Sequence, residues 1–201
     1  MTKDKKVSIT VIRRLPEYYR YLEELLEKDI SRISSQELSE LSGFTASQIR
    51  QDLNNFGGFG QQGYGYNVEE LHTELGKILG LENKHKVVVT GAGNLGHAIA
   101  HYGGFRDSGF DIIGMFDSRT DDTRFKRSKF EVKHVDGLRE FIIDNNVDIG
   151  VITTSKELAQ EIADIYVEAG VKGIWNFAPI DLDVPEDVAL ETVRLSESLF
   201  A

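Results

Sequence analysis

A glycine-rich segment in the middle of the chain restricts the possible folds more strongly than any other feature. Gly91-Ala92-Gly93-Asn94-Leu95-Gly96 follows an apolar run at 86–90 and precedes a helical pattern. Between a strand and a helix, this spacing places the first glycine in a tight turn, the second against a pyrophosphate and the third where helix and strand pack. Free N–H groups at the helix N-terminus favour a phosphate. The segment therefore predicts a dinucleotide site.

An acidic residue at the end of the next predicted strand supports this prediction. The apolar run 110–116 ends in Asp117, about 20 residues after Gly96, where such folds place a carboxylate that binds the ribose 2′-OH. Asp117 would repel a 2′-phosphate, which favours NAD(H) over NADP(H), although Arg119 weakens that preference. We include the neighbouring Ser118 in the candidate site.

The remaining pattern of the second half alternates strands and helices. Apolar runs at 147–152 and 173–177 flank a helical pattern at 155–169. This alternation predicts an α/β fold with a doubly wound parallel sheet, in which ligands bind at the carboxyl ends of the strands. The candidate cofactor contacts at those ends are Thr153, Thr154, Asn176, Phe177 and Pro179.

The first part of the chain predicts helices. Pro16 suits the first turn of a helix. Ser34 and Glu37 form a capping box at the start of a short helix that Gly43 ends, and Thr45 begins another helix soon after. Two short helices joined by a tight glycine turn indicate a helix-turn-helix.

Alternating glycines and aromatic residues follow, from Phe56 to Tyr66, and predict a β-hairpin. Beside a helix-turn-helix, such a hairpin would be a wing. The second helix of the motif would place its N-terminal residues at base edges in the major groove. The candidate DNA contacts are Ser47, Gln48, Arg50 and Gln51 on that helix and Phe59, Gln61, Gln62 and Tyr64 in the wing.

The charge of this part leaves a second interpretation open. Residues 1–66 hold nine Lys/Arg and nine Asp/Glu, whereas the whole chain has a net charge of -10. DNA backbone contacts need cations, and a neutral helical unit could equally serve protein contacts. The available cations are Lys3, Lys5, Lys6, Arg13, Arg14 and Arg50.

Composition excludes several classes of protein. The chain has no cysteine, which excludes disulfide scaffolds, thiolate zinc sites and cysteine nucleophiles, and we predict no metal site. There is no apolar run near the length of a membrane span and no apolar signal segment. These features lead us to expect a cytoplasmic protein.

The sequence favours sensing over catalysis. A dehydrogenase needs a proton donor or acceptor beside the nicotinamide, yet no histidine is paired with a carboxylate by its spacing. Little chain remains after Pro179 for a substrate domain. A dinucleotide fold joined to a DNA-binding unit suggests a regulator and not an enzyme.

The sequence resembles the Rex family of redox-sensing transcriptional repressors over nearly its whole length. The most specific match is Arg50-Gln51-Asp52-Leu53 followed by Phe56-Gly57-Gly58-Phe59-Gly60 and Gly63-Tyr64-Gly65-Tyr66. The glycine segment, Tyr102 and Asn176-Phe177-Ala178-Pro179 also match. The resemblance implies a homodimer with an N-terminal winged helix at 1–80 that binds a palindromic operator. It also implies a Rossmann domain at 81–187 that binds NADH or NAD+, and a short C-terminal helix within 188–201 that is swapped between subunits. NADH would favour the DNA-free state, and Tyr102 joins the candidate cofactor contacts.

Several residues depart from the family pattern. Gln51, Gln61 and Gln62 stand where members usually carry basic residues, and Thr154-Ser155 replaces Val-Pro. Arg194 stands where members typically have an aspartate that pairs with an arginine matching Arg20. Two alternatives therefore stay open: a DNA-binding regulator with a lost or altered redox response, and a small NAD-dependent oxidoreductase.

Overall fold

The structure, a computed structural model, describes residues 7–57, 59–61, 64–120, 130–197 and 200. These residues form two compact units, one up to Glu82 and one from Asn83. Each unit has its own hydrophobic core. The stretch 119–133 holds six Lys and Arg residues, a composition typical of a solvated loop, but it lies largely outside the described residues, which omit 121–129.

Five helices are described in the first unit, and the predicted capping box is present. Ser34 Oγ accepts from the N–H of Glu37, whose carboxylate accepts from the N–H of Ser34. Gly43 adopts φ +75° between the two short helices, where a left-handed conformation favours glycine. The helix-turn-helix prediction is confirmed by α3 and α4. The helices are α1 Ile9–Ile12, α2 Leu15–Leu26, α3 Ser35–Ser42, α4 Ala46–Leu53 and α5 Val68–Ile78.

A small antiparallel sheet completes this unit as a winged helix. Its strands are β1 Arg32–Ile33, β2 Gly60–Gln61 and β3 Gly65–Asn67, in the order β1-β3-β2. The predicted hairpin is β2–β3. Strand β1 was not predicted, because two residues show no alternation. Gly65 is required beside β1, since a Cβ there would lie 2.5 Å from the carbonyl oxygen of Ile33.

The second unit contains a six-stranded sheet whose pairs are all parallel. The order β6-β5-β4-β7-β8-β9 is that of a Rossmann fold, with its topological switch point between β4 and β7. This confirms the predicted doubly wound sheet. The strands are β4 His85–Thr90, β5 Phe110–Asp117, β6 Val132–His134, β7 Ile149–Ile152, β8 Gly173–Asn176 and β9 Ala189–Thr192.

Helices cover the sheet on both faces. Val87 and Val89 belong to one core cluster while Val88 belongs to another, as alternating side chains of a strand require. One layer packs closely enough that a Cβ at Gly150 would lie 2.2 Å from the ring of Tyr166. The helices are α6 Asn94–His101, α7 Gly104–Asp107, α8 Leu138–Asn145 and α9 Lys156–Glu168, with a 3-10 turn at Val135–Gly137.

The C-terminal segment differs from the expectation of a short helix at 188–201. Residues Ala189–Thr192 form β9, which pairs in parallel with β8. This pairing satisfies backbone groups at the edge of β8 that a helix would leave open. The sequence did not reveal β9, because its four residues are largely solvent-accessible and carry little apolar signal. Exchange of this segment between subunits stays a prediction.

Candidate functional sites

A cleft of about 610 Å³ lies at the carboxyl ends of the central strands of the Rossmann unit. The glycine segment connects β4 to α6, whose N-cap is Gly93. Six of the predicted site residues line this cleft: Gly91, Gly93, Asp117, Ser118, Thr153 and Thr154. Among the lining residues that sequence reasoning missed are Val135, Asp136, Arg139, Leu158 and Ile162, which come from α8, α9 and the turn before α8. No local motif marks them.

The three glycines have the separate roles that the motif predicts. A Cβ at Gly96 would lie 1.9 Å from the carbonyl oxygen of Gly91, so helix and loop pack without space between them. Gly91 has φ +107°, and a Cβ there would lie 2.7 Å from the backbone of Thr153. Gly93 faces open space, with nothing within 4 Å of such an atom. The residues therefore fit a pyrophosphate, which needs close backbone approach at the second glycine.

The Asp117 side chain lines the cleft and also accepts a hydrogen bond from the glycine segment. One carboxylate oxygen accepts from the N–H of Ala92 at 2.7 Å, and the other accepts from the N–H of Arg119 at 2.9 Å. A carboxylate oxygen can accept more than one hydrogen bond, so a ribose hydroxyl could still bind there. Through its backbone N–H, Arg119 therefore helps to hold the Asp117 carboxylate, which should repel a 2′-phosphate, in place.

Thr153 and Thr154 are adjacent but differ in their hydrogen bonds. The hydroxyl of Thr153 donates to the carbonyl oxygens of Gly91 at 2.8 Å and Thr90 at 3.1 Å. It therefore joins β7 to the glycine loop at the switch point. The hydroxyl oxygen of Thr154 is buried and has no hydrogen-bond partner among the described residues.

Asn176 does not fit the predicted role of a cofactor contact. The side chain is fully buried. Its amide nitrogen donates to the carbonyl oxygens of Ala178 and Ile180, and its amide oxygen accepts from the N–H of Ala178. Since the turn after β8 uses this amide, Asn176 shapes the loop that carries Phe177 and the exposed Pro179.

Tyr102 and Phe177 belong to a row of aromatic rings and do not line the cleft of 610 Å³. Tyr102 packs against Phe105, Phe105 against Trp175, and Trp175 against Phe177, with centroid separations of 4.9, 5.6 and 4.6 Å. Tyr102 remains 63% exposed. The predicted contacts of Tyr102, Phe177 and Pro179 with the cofactor therefore stay predictions.

The other predicted residues of the glycine segment, Asn94 and Leu95, are the first two residues of α6. Their position at the helix N-terminus is where free N–H groups can bind phosphate. Ala92 is buried, and its side chain packs in the core of the unit.

In the first unit, α4 separates a buried face from an exposed face. Ile49, Asp52 and Leu53 are buried. Of the predicted DNA contacts, Ser47, Arg50 and Gln51 line a shallow groove with Asn54 and Asn55. Sequence reasoning missed the two asparagines, because it considered only the N-terminal part of the helix. Gln48 is half-buried, and its backbone N–H donates to the cap hydroxyl of Thr45.

Two arginines of this unit already have partners within it. Arg50 Nη1 donates to Ser35 Oγ at 2.7 Å, so its guanidinium lies beside the start of α3. Arg14, which was expected among the cations for DNA phosphates, instead makes a bidentate ion pair with the buried Asp52. Contacts with the DNA backbone therefore depend on the other basic residues of this unit.

The wing residues differ in their surroundings. Phe59 is half-buried and packs against the core of the first unit, so it anchors the wing, and its contact with DNA stays a prediction. Tyr64 is 70% exposed beside the hairpin. Gln61 lies in β2, and Gln62 lies outside the described residues.

Two features are absent from the described part of the chain. None of its helices is both long and apolar enough to cross a membrane. No three His, Asp or Glu side chains of these residues gather where they could hold a metal ion.

Comparison with known proteins agrees with both units. Residues 6–54 match a family model described as "Putative DNA-binding protein N-terminus", and residues 82–180 match one described as "CoA binding domain". Two relatives are each named "Redox-sensing transcriptional repressor Rex". The protein of Clostridioides difficile is 60% identical over 200 residues, covering 100% of this chain and 95% of the relative. That of Thermoanaerobacter pseudethanolicus is 58% identical, with 100% and 89% covered.

Solved structures show the same similarity. The crystal structure of RSP with β-NAD+ and operator DNA matches at a TM-score of 0.91 and 59% identity, covering 96% of this chain and 89% of that one. The structure of RSP with β-NADH matches at 0.89 and 56%, with 98% and 92% covered. A further structure, described as RSP, a Rex-family repressor, matches at 0.89 and 57%. On the winged helix, the Rossmann order and this full-length similarity, the chain belongs to the Rex family of redox-sensing transcriptional repressors.

Proposed function

We propose that this chain is a transcriptional repressor that binds operator DNA through α4 and the wing, and that NADH releases it. The proposal rests on one observation: this chain contains two candidate binding surfaces. One is the polar groove of Ser47, Gln51 and Asn54 on α4. The other is the open backbone at Gly93 with Asp117 nearby. Relatives that are 60% and 58% identical to this chain are named redox-sensing transcriptional repressors.

The proposed repressor acts as a homodimer on a palindromic operator. A two-fold dimer presents two copies of α4, and each reads one half-site. Because DNA is the partner, we place the protein in the cytoplasm. The resident dinucleotide is NAD(H), which supplies a ring that is cationic when oxidised and neutral when reduced.

Release by NADH requires different affinities in two states of the protein. A ligand shifts an equilibrium only by the difference in its affinity for the two states. Moving a population from about 1:99 to 99:1 needs about a 10⁴-fold difference. With two sites in a dimer, each site needs a preference of about 100-fold, which sets the size of effect that an experiment should find.

We propose regulation and not catalysis. None of the five histidines is among the described residues that line the 610 Å³ cleft. The hydroxyl of Thr153 is already hydrogen-bonded to the glycine loop. A dehydrogenase would need a proton donor or acceptor beside the reacting carbon. Turnover of a hydroxy or carbonyl substrate with NAD+ or NADH would contradict this part of the proposal.

One observation favours a second candidate, a DNA-binding regulator with an altered redox response. Arg194 donates to Asp181, and its Nε lies 3.6 Å from Glu197. Where family members typically place an aspartate, this chain thus has a cation bound to nearby carboxylates. An ion pair with Arg20 is not available to it, which would change the coupling between dinucleotide and DNA.

The decisive experiment is a DNA-release assay with the full chain. A palindromic duplex is first selected from a randomised inverted-repeat library and then titrated by fluorescence anisotropy at a high and a low NADH/NAD+ ratio. Repressor function predicts tight binding at low ratio and release at high ratio, with NADPH and coenzyme A as control ligands. Tight binding at both ratios supports the second candidate. Failure of the selection to enrich any sequence contradicts both.

A further inference from the structure

An ion pair whose carboxylate is buried links the start of α2 to the inner face of α4. Arg14 Nε donates to Asp52 Oδ2 and Arg14 Nη2 donates to Asp52 Oδ1, both at 2.7 Å. The two parallel hydrogen bonds give the pair a defined geometry, which a single contact between point charges lacks. The partners are 38 residues apart in sequence.

Tyr18 completes the arrangement from α2. Its hydroxyl donates to Asp52 Oδ2 at 2.8 Å, so the carboxylate accepts three hydrogen bonds. Asp52 is 2% exposed and Tyr18 is fully buried. Burial raises the pKa of Tyr18, with the hydrogen bond to Asp52 adding to the effect, so the phenol stays protonated as a donor. The ring of Phe44 packs edge-on against Tyr18 and lies below the Arg14 guanidinium.

Local preferences do not explain an aspartate at this position. Asp52 lies in the last turn of α4, where the helix dipole disfavours a negative charge. It is also removed from water, which is unfavourable for a carboxylate. Replacing a buried ion pair with apolar side chains of similar size is often neutral or stabilising. A gain in stability therefore does not explain this pair, whereas the defined orientation that it gives to α4 does.

The apolar contacts of α4 leave its orientation less well defined. Ile49 and Leu53 are the buried apolar residues on the same face, and contacts of this kind tolerate small rotations and shifts. The pair of Arg14 and Asp52 is directional, and it defines both the rotation of α4 about its axis and its position along that axis. The exposed residues Ser47 and Gln51 on the same helix are thereby aimed outwards in one orientation.

We propose that Arg14, Asp52 and Tyr18 are positioning residues for operator recognition. They contact no DNA themselves but hold α4 in the orientation from which its polar side chains distinguish bases. Base readout depends on geometry, whereas binding to phosphates of any sequence depends mainly on charge. Loss of the pair should therefore reduce discrimination between sequences more than it reduces non-specific binding. This inference rests on the proposed DNA-binding function.

The test replaces the pair with apolar side chains in the full-length protein. The variant Arg14→Met/Asp52→Leu removes one positive and one negative charge, so the net charge stays the same. The matched control is Glu74→Leu/Lys77→Met, which makes the same change at an exposed ion pair on α5. For each protein, Kd is measured on the selected palindrome and on the same duplex with scrambled half-sites, and the Tm is measured.

The expected result is a folded protein whose melting temperature is modestly lowered, because the buried Tyr18 hydroxyl loses its acceptor, and whose binding to the scrambled duplex is unchanged. Binding to the palindrome should weaken about tenfold or more, the scale of losing one good base contact per half-site. The control should retain the original ratio of the two Kd values. A double variant that folds and keeps this ratio within about twofold would overturn the proposal.

A milder variant decides the question if the double variant fails to fold. Tyr18→Phe removes a single hydrogen bond from Asp52 and leaves the ring in place. We expect a two- to fivefold loss of discrimination, on the scale of one hydrogen bond, with circular dichroism unchanged. Unchanged discrimination would then overturn the inference. If the unchanged protein itself shows no preference for any sequence, the proposed function fails, which is a different result.

Discussion

The backbone N–H of Ala92 donates to the carboxylate of Asp117 across 2.7 Å. This contact ties the end of β5 to the glycine loop between β4 and α6. A single side chain thereby shapes the phosphate-binding loop and faces the position expected for the adenosine ribose. Substitution of Asp117 should consequently affect both loop and ligand.

We predict that the protein binds NADH at least about tenfold more tightly than NADPH, because a 2′-phosphate would approach the Asp117 carboxylate. Asp117→Ala should weaken NADH binding by about tenfold and weaken NADPH binding less. Asp136→Ala removes another carboxylate of the same cleft and serves as control. Titration calorimetry measures the affinity of each of these proteins for NADH and for NADPH. Equal affinity of the unchanged protein for NADH and NADPH would contradict the assignment of Asp117.

Alanine at two glycines should separate folding from ligand binding. A Cβ at Gly96 would meet the carbonyl oxygen of Gly91 at 1.9 Å, so Gly96→Ala should lower the Tm. A Cβ at Gly93 meets nothing within 4 Å, so Gly93→Ala should keep the Tm and lose most NADH affinity. Thermal melts with and without NADH provide both readouts. Full NADH binding by Gly93→Ala would show that the pyrophosphate lies elsewhere.

Replacing each of the neighbouring threonines with valine should change the free energy of unfolding in opposite directions. Thr153→Val removes a hydroxyl whose proton is shared between the carbonyl oxygens of Gly91 and Thr90, and should lower stability by about 1–2 kcal/mol. Thr154→Val removes a buried hydroxyl without a partner in the described structure and should raise stability by up to about 1 kcal/mol. Valine has nearly the same shape as threonine, so each variant is the control of the other. Urea denaturation measures both changes in the free energy of unfolding, and changes of the same sign would contradict the interpretation.

Arg50 is predicted to be required for DNA binding. Arg50→Ala should weaken binding to the selected palindrome by about tenfold or more, because the side chain lies in the groove of α4. Ser35→Ala removes its partner inside the protein and should have a much smaller effect. Anisotropy titrations at several salt concentrations show whether Arg50 contacts a phosphate, because Arg50→Ala would then reduce the salt dependence of DNA binding. Undiminished binding by Arg50→Ala would mean that α4 is not the recognition helix.

The capping box of α3 predicts a pH dependence. The N–H of Ser34 donates to Glu37, and together with the Ser34 side chain this lowers the pKa of Glu37. A lowered pKa in the folded state contributes stability above the ordinary glutamate pKa, and this stability is lost as the pH falls through the folded value. Glu37→Gln should therefore flatten the decline in stability below about pH 5. Glu40→Gln on the same helix is the control, and an equal effect there would contradict the prediction.

Short-range patterns were enough to predict both units and the main parts of their sites. The glycine spacing, the acid after β5 and the capping boxes depend on the conformation of a few consecutive residues. That is why Gly93, Asp117 and the exposed residues of α4 could be named in advance. The same reasoning missed β1 and β9, since no apolar run marks these two segments and they become strands only through their partners.

Which polar groups remain available to a ligand was decided by contacts between distant segments. Asn176 and Thr153 have the residue types and strand-end positions of ligand contacts, but the folded chain uses their hydrogen bonds within the loops of the site. Arg14 resembles a phosphate-binding cation until Asp52 is brought beside it. Residue types and local spacing establish what a side chain can bind, whereas the approach of remote segments determines what it does bind, because each donor and acceptor has a limited number of partners.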